Sequence, residues 1–214
     1  MITGEDDTFD SKIKSMEETI QNIVKNNTIH IKWLNTLSFM ENAGARKISA
    51  CEHPSHVDII QLKHAAEEHR HAYYLKKQIL KIDPQNCYTY TDNELLAAKA
   101  TRYYLHALDI QCSRYLKKQL QLQGEQLRYA AYLFVTYAIE LRADILYPIY
   151  QNSLTSVKHL VMVKSIIVEE EGHLEEMINQ LTHFNTDWEK HALAVIKFEE
   201  ILFENWMQQI KKEV

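Results

Sequence analysis

The chain has 214 residues, of which 46% are hydrophobic, and only 4 glycines and 3 prolines interrupt it, so an all-α fold in one domain, residues 1–214, is predicted. The net charge of −5 and the lack of a basic run argue against a protein that binds nucleic acid. Three scattered cysteines, an acidic amino terminus and no apolar run of about 18 residues predict a cytoplasmic protein with reduced thiols, no signal peptide and no membrane contact.

The first two predicted helices have different apolar faces. The first, at about residues 11–26, starts with Ser11 as its N-cap and has a narrow apolar stripe, which is typical of a brace or lid over a larger fold. The second, at about residues 28–50, places Glu41 on an otherwise apolar stripe. It ends before Pro54, a residue that suits the first turn of the next helix.

The third predicted helix, at about residues 55–82, follows a short turn and carries Glu68 on its apolar face. Two long helices joined by a short turn form an antiparallel hairpin. A fourth helix, at about residues 92–120, is predicted to begin with a capping box between Thr91 and Glu94. It carries no metal-binding motif, and we interpret it as a crossover between two halves of the fold.

A second hairpin is predicted after the crossover. Its first helix, at about residues 124–152, carries Glu140 on an apolar stripe, and Pro148 is expected to kink its last turns. Its second helix covers about residues 155–182, and a seventh helix from about residue 186 to the carboxyl end closes the fold. Each half therefore contains a helix with a lone glutamate followed by a second long helix.

The second helix of each hairpin contains a Glu-x-x-His motif, about thirty residues after the lone glutamate. Residues three apart on a helix share a face, so each motif can present one carboxylate and one imidazole to the same point. At about 1.5 Å per residue, the lone glutamate and the motif of each hairpin lie at the same height to within one helical turn. The six residues are Glu41, Glu68, His71, Glu140, Glu170 and His173.

Four carboxylates and two imidazoles on apolar stripes predict a pair of metal ions. Unpaired carboxylates are unfavourable in a core, and two divalent cations would neutralise all four. A mixed carboxylate and imidazole ligand set suits iron or manganese better than zinc or copper(I). Six ligands leave coordination positions open on two metal ions, which indicates redox chemistry with dioxygen.

This repeated pattern resembles that of the ferritin-like di-iron carboxylate superfamily. The resemblance covers the two hairpins, roughly residues 28–82 and 124–182. It implies a ferritin-like four-helix bundle with a crossover helix and additional N- and C-terminal helices, and two iron ions, or one manganese and one iron, as cofactors. It also implies that all six residues are metal ligands, with Glu68 and Glu170 as bridges between the metals.

Acidic residues precede the glutamate of both motifs, which is similar to the Asp-Glu-x-x-His variant of ribonucleotide reductase small subunits and related oxygenases. In that variant the acidic neighbour orients a ligand histidine. The resemblance and the helical spacing predict five residues around the ligands, namely Glu67, Glu169, Asp144, His64 and Tyr137. The alternatives are a solvated charge for each carboxylate, a boundary histidine for His64 and a packing tyrosine for Tyr137.

The crossover and closing helices resemble the oxygenase, oxidase and aldehyde-deformylating branch more than the short cage-forming ferritins. We expect a di-iron-dependent oxygenase or oxidase that activates dioxygen and oxidises a small, apolar organic substrate. An electron-donor protein and a second copy of the chain, in a homodimer, are compatible partners. Two alternatives stay open: a ferroxidase or iron-storage protein, and a metal-free helical interaction module.

Overall fold

The computed structural model describes residues 4–85 and 88–214, with side chains from residue 10 onward. Within these residues the chain is helical and contains no strand, which confirms the all-α prediction. Its elements are α1 (Gly4–Lys25), α2 (Asn27–Ala50), α3 (Ile59–Ile79), a 3-10 turn (Asp92–Glu94), α4 (Ala98–Leu120), α5 (Gly124–Ser156), α6 (Lys164–Phe184) and α7 (Trp188–Lys211).

The structure describes two of the three cysteines. Cys51 and Cys112 are buried free thiols, whereas Cys87 and the first three residues of the acidic amino terminus lie outside the described residues. None of the helices within residues 4–85 and 88–214 combines the length and the apolarity that crossing a membrane requires.

Two antiparallel helix pairs form the centre of the fold. α2 packs along α3, where the Ser38 hydroxyl donates a hydrogen bond to the Ala72 carbonyl at 2.7 Å, and the Gln61 amide donates to the Ile48 carbonyl at 3.1 Å. α5 packs along α6 in the same manner. α4 packs against α5 and α7, and α1 packs against α5 and α2. α3 and α6 touch each other much less.

Stacked aromatic rings connect α2, α4 and α7. The Trp33 and Trp206 rings are stacked with their centroids 5.8 Å apart, and Trp206 is stacked on Tyr104 at 5.7 Å. The Tyr104 hydroxyl donates to Glu199, which also accepts two hydrogen bonds from the Arg142 guanidinium at 2.9 and 2.7 Å. Because the Glu199 and Arg142 charges are paired with each other and with Tyr104, they hold α4, α5 and α7 together.

Two predicted helix starts are wrong in the first half of the chain. α1 begins at Gly4, so Ser11 lies inside the helix and is not its N-cap. α3 begins at Ile59 rather than near residue 55, because the Asp58 carboxylate accepts hydrogen bonds from the Ile60 and Gln61 amides at 2.9 and 3.2 Å. A charged N-cap of this kind decides the start in preference to a proline four residues earlier.

Two further starts differ in the second half. The Glu94 carboxylate accepts hydrogen bonds from the Thr89 amide and hydroxyl, so the capping box with Thr91 is wrong, and α4 begins only at Ala98. α6 begins at Lys164, because α5 continues through Ser156 instead of ending near residue 152. α5 contains Pro148 within its length, and the kink expected there stays a prediction.

Replacement of the α3 cap provides a test of these starts. Asp58→Ala should lower the free energy of unfolding by about 1 kcal/mol, because two backbone amides lose their acceptor. Thr91→Ala should change it by less than about 0.5 kcal/mol, because the Thr91 side chain caps no helix. Urea denaturation followed by circular dichroism measures both, and a larger loss for Thr91→Ala would contradict the observed starts.

Candidate metal centre

The six predicted ligands meet between the two helix pairs, in two overlapping groups. Within each group, one ligand atom from every residue lies within 4.8 Å of the others. Glu68 and Glu170 belong to both groups, as residues that bridge two neighbouring cations would. The groups are Glu41, Glu68, His71 and Glu170, and Glu68, Glu140, Glu170 and His173.

Three of the four carboxylates of this cluster are removed from water, since no more than 9% of Glu68, Glu140 or Glu170 is exposed, whereas Glu41 is partly exposed. Burial, reinforced by the neighbouring carboxylates, raises the pKa of Glu68 and of Glu140 well above the usual value. Burial acts in the same direction on Glu170, but its close contacts with Glu140, His173 and His71 outweigh it and lower the pKa. Without cations, the cluster therefore holds protons among its carboxylates.

Both histidines direct Nδ1 into the cluster. His71 Nδ1 lies 3.0 Å from Glu170 Oε1, yet this buried atom makes no well-aligned hydrogen bond with any described residue. His173 Nδ1 lies 3.2 Å from Glu170 Oε2 and 3.6 Å from Glu140 Oε1. His71 Nδ1 is thus a buried ring nitrogen that lacks a hydrogen-bond partner and faces carboxylates, as expected of an atom that donates its lone pair to a metal ion.

The other nitrogen of each histidine contacts a carboxylate from the opposite helix. His71 Nε2 donates to Glu169 at 2.7 Å, and His173 Nε2 donates to Glu67 at 2.8 Å. Arg70 contacts both carboxylates, at 2.8 Å to Glu169 and 3.4 Å to Glu67. These bonds hold the proton on Nε2, so that Nδ1 of each ring, which faces the cluster, would be the atom that binds a cation. Glu67 and Glu169 therefore lie where they were predicted, and each serves the histidine of the other motif.

His64 also lies beside the cluster rather than at a boundary. Its buried ring is 4.8 Å from the His173 ring, between centroids. His64 Nε2 lies 2.9 Å from a Glu176 carboxylate oxygen, and Nδ1 lies 3.0 Å from the Tyr132 hydroxyl. Glu176 and Tyr132 were not predicted, although Glu176 follows His173 by three residues and helical spacing would have identified it.

The predictions for Asp144 and Tyr137 need correction. Asp144 is exposed, although it follows Glu140 by about one turn. The Tyr137 ring packs edge to face against Trp188 of α7, with centroids 5.5 Å apart. At about 100° per residue, the Tyr137 and Asp144 side chains leave α5 about 40–60° to one side of the Glu140 side chain. What surrounds them therefore depends on which helix packs on that side of α5.

Tyr147 occupies the position that Asp144 and Tyr137 were expected to take. It follows Glu140 by seven residues, or about two turns, and so shares its face of α5. The buried Tyr147 hydroxyl donates a hydrogen bond to Glu41. Burial and the Glu41 charge raise the pKa of Tyr147, so this hydroxyl retains its proton at neutral pH.

A cavity of about 430 Å³ between α2, α4 and α5 adjoins the carboxylates. Glu68 and Glu140 line its inner end. Gly44 also lines the cavity, and a Cβ atom there would lie 3.6 Å from Glu68 Oε2, an ordinary contact distance. Most of the wall is apolar and is formed by Phe39, Ile48, Leu105, Val135 and Ile139, among other residues.

Comparison of the chain with models of protein families gives no match, and comparisons with curated proteins and with solved structures give none either. The geometry of the cluster is therefore the basis for assigning a function.

The chelator-treated protein should lose stability as the pH rises from 6.5 to 9. Burial lowers the pKa of His71, but the carboxylates of Glu170, Glu41 and Glu169 outweigh it and raise the pKa to about 9. The folded chain then keeps a proton that the unfolded chain releases above its pKa of 6.5. One such proton contributes roughly 3 kcal/mol, which is lost across this window and corresponds to about 6–12 °C in the unfolding midpoint.

Thermal unfolding followed by circular dichroism measures this slope. The raised pKa values of His173, Glu68 and Glu140 have the same sign and steepen it. His71→Gln should flatten the slope, and a midpoint that rises between pH 6.5 and 9 in the chelator-treated protein would contradict the electrostatics of the cluster.

Proposed function

We propose that the chain is a ferritin-like di-iron, or manganese–iron, oxygenase or oxidase. In this proposal α2, α3, α5 and α6 form the four-helix bundle, α4 is the crossover, and α1 and α7 are the additional helices. The observation that carries the proposal is the cluster of six ligand side chains, five of them buried, in which His71 Nδ1 faces Glu170 without a well-aligned hydrogen bond.

The charges of the cluster support two cations. Four carboxylates share one site, three of them buried, and the described ion pairs inside it are made with His71 and His173 rather than with lysine or arginine. Two divalent ions would neutralise the four carboxylates while both imidazoles bind in the neutral form. Oxygen and nitrogen donors without a thiolate favour iron or manganese.

The residues around the cluster have separate roles in this proposal. Two bound redox-active ions would supply the activation of dioxygen. Glu67 and Glu169 hold the Nε2 protons of the histidines, and Tyr147 holds a proton towards Glu41. The apolar cavity excludes water from the inner carboxylates and accommodates a small organic substrate beside them.

Metal stoichiometry tests the proposal directly. The protein purified after iron-supplemented expression should contain about two metal ions per chain. Glu170→Gln should reduce this to one or fewer, because Glu170 belongs to both groups of ligand atoms. The matched control is Glu171→Gln, since Glu171 is the exposed neighbour of Glu170 and should be replaceable without loss. Elemental analysis measures both variants.

The carboxylate that binds the His71 Nε2 proton provides a second test. Glu169→Gln should weaken manganese binding by about 10- to 100-fold, because the amide no longer holds the His71 Nε2 proton as an anion does. Asp144→Asn should leave the affinity unchanged, because Asp144 is exposed. Titration with Mn²⁺ followed by calorimetry compares the variants, and equal affinities would remove Glu169 from the site.

Three outcomes separate the enzyme from its alternatives. Consumption of dioxygen by the reduced, iron-loaded protein, coupled to oxidation of an added organic compound, supports an oxygenase or oxidase. A cage of many subunits on size exclusion, with uptake of iron as mineral, supports a ferroxidase or storage protein. Fewer than about 0.2 metal ions per chain supports a metal-free interaction module.

A further inference from the structure

We propose that divalent cations reach the cluster between α3 and α6, and that Arg70 is the gate of this route. The route is spanned by Glu67, Arg70 and Glu169 and is called the α3–α6 gap below. This inference rests on the proposed di-metal site and concerns how that site is loaded with its ions.

The α3–α6 gap is closed by side chains rather than by helix packing. α2 packs along α3, and α5 packs along α6, whereas α3 and α6 touch each other much less. The hydrogen bonds described between α3 and α6 are made by ionisable side chains, and Lys63 and His64 bind Glu176 beside Arg70 in this way. Such pairs can separate without movement of a helix.

The two carboxylates of the gap each divide their oxygens between the interior and the surface. Glu169 accepts from His71 Nε2 through Oε2 at 2.7 Å and from Arg70 through Oε1 at 2.8 Å. Glu67 accepts from His173 Nε2 through Oε2 at 2.8 Å, and its Oε1 lies 3.4 Å from Arg70. The order from the surface inward is therefore arginine, carboxylate and ligand histidine.

The cluster lies directly beneath this layer. The His71 and His173 rings have their centroids 5.9 Å apart, and their Nδ1 atoms lie 3.0 and 3.2 Å from oxygens of Glu170. A cation that passes between the rings thus leaves the carboxylates of Glu67 and Glu169 and reaches that of Glu170. It meets an oxygen ligand on both sides of the rings, which compensates for the loss of its hydration water.

The cavity between α2, α4 and α5 is the other approach to the cluster. Glu68 and Glu140 line its inner end, but most of its wall is apolar. Asp109 is the other carboxylate among its described lining residues, and it is paired with Lys47 at 2.8 Å. A hydrated cation would lose water along this wall without gaining ligands. The cavity therefore suits apolar molecules, and the α3–α6 gap suits cations.

Arg70 occupies the place of an incoming cation. Its guanidinium contacts Oε1 of both Glu67 and Glu169, and 51% of its side chain is exposed. Exposed ion pairs of this kind contribute little to stability, so Arg70 can turn into solvent at low cost. Its departure frees two carboxylate oxygens at the surface, and its return covers them again. Arg70 therefore controls the rate of loading rather than the final affinity.

The rates of Mn²⁺ uptake and release by the full-length, metal-free protein test the gate. Stopped flow with a metal-indicator dye measures uptake, and addition of a chelator to the loaded protein measures release. In Arg70→Gln both rates should rise about three- to fivefold, because the closed state loses its ion pairs. The number of bound ions and their affinity should stay similar. Arg70→Lys retains a cation and should keep both rates within about twofold of the unmodified protein.

Lys77→Gln is the matched control for Arg70→Gln. Lys77 is an exposed cation about two turns further along α3, and its removal should change neither rate.

Val135→Phe tests the other approach to the cluster. Val135 lines the cavity, and a larger ring at this position narrows it. Uptake of Mn²⁺ should keep its rate in this variant, because the α3–α6 gap is unchanged.

Three results would overturn the inference. Unchanged rates in Arg70→Gln would remove the gate, and faster uptake with slower release would show that Arg70 only repels cations. Slower uptake in Val135→Phe would assign the route to the cavity. In all three cases the protein still takes up two metal ions, so the proposed function stands. A protein that takes up no Mn²⁺ or iron at all loses the proposed function, and the gate with it.

Discussion

The packing of four carboxylates into one cluster, three of them buried, is the constraint on which the rest of the structure depends. Negative charges this close cannot all stay ionised in a low-dielectric core, so protons or cations must accompany them. In the cation-free chain the raised pKa values of Glu68, Glu140 and His71 express this requirement. The same groups would bind metal ions only by releasing protons, and stability, pH and metal uptake are therefore linked at one place.

The cluster also explains how α3 and α6 face each other although they make few other contacts. Glu169 of α6 accepts from His71 of α3, and Glu67 of α3 accepts from His173 of α6. Arg70 contacts both carboxylates. The same contact therefore occurs once in each direction between α3 and α6, and it orients both imidazoles.

The asymmetry of the fold lies on the other side of the cluster. There α4 covers α5 and leaves a cavity against α2, and Gly44 and Glu68 both line this cavity. The aromatic stack of Trp33, Trp206 and Tyr104 holds α2, α4 and α7 together, so the cavity has firm walls. One face of the cluster is therefore closed by charged pairs, and the other opens onto apolar space.

The sequence by itself determined the helices and the six converging side chains, because helical periodicity is local and two Glu-x-x-His motifs at matched depth leave little freedom. It did not determine the starts of α3, α4 and α6, where Asp58, the Glu94 contact with Thr89 and the length of α5 decided instead. Only the tertiary structure decided which side chains surround the cluster, excluding Asp144 and including Tyr147. The physical reason is that spacing fixes the direction of a side chain from its own helix, whereas its partner depends on which helix packs there.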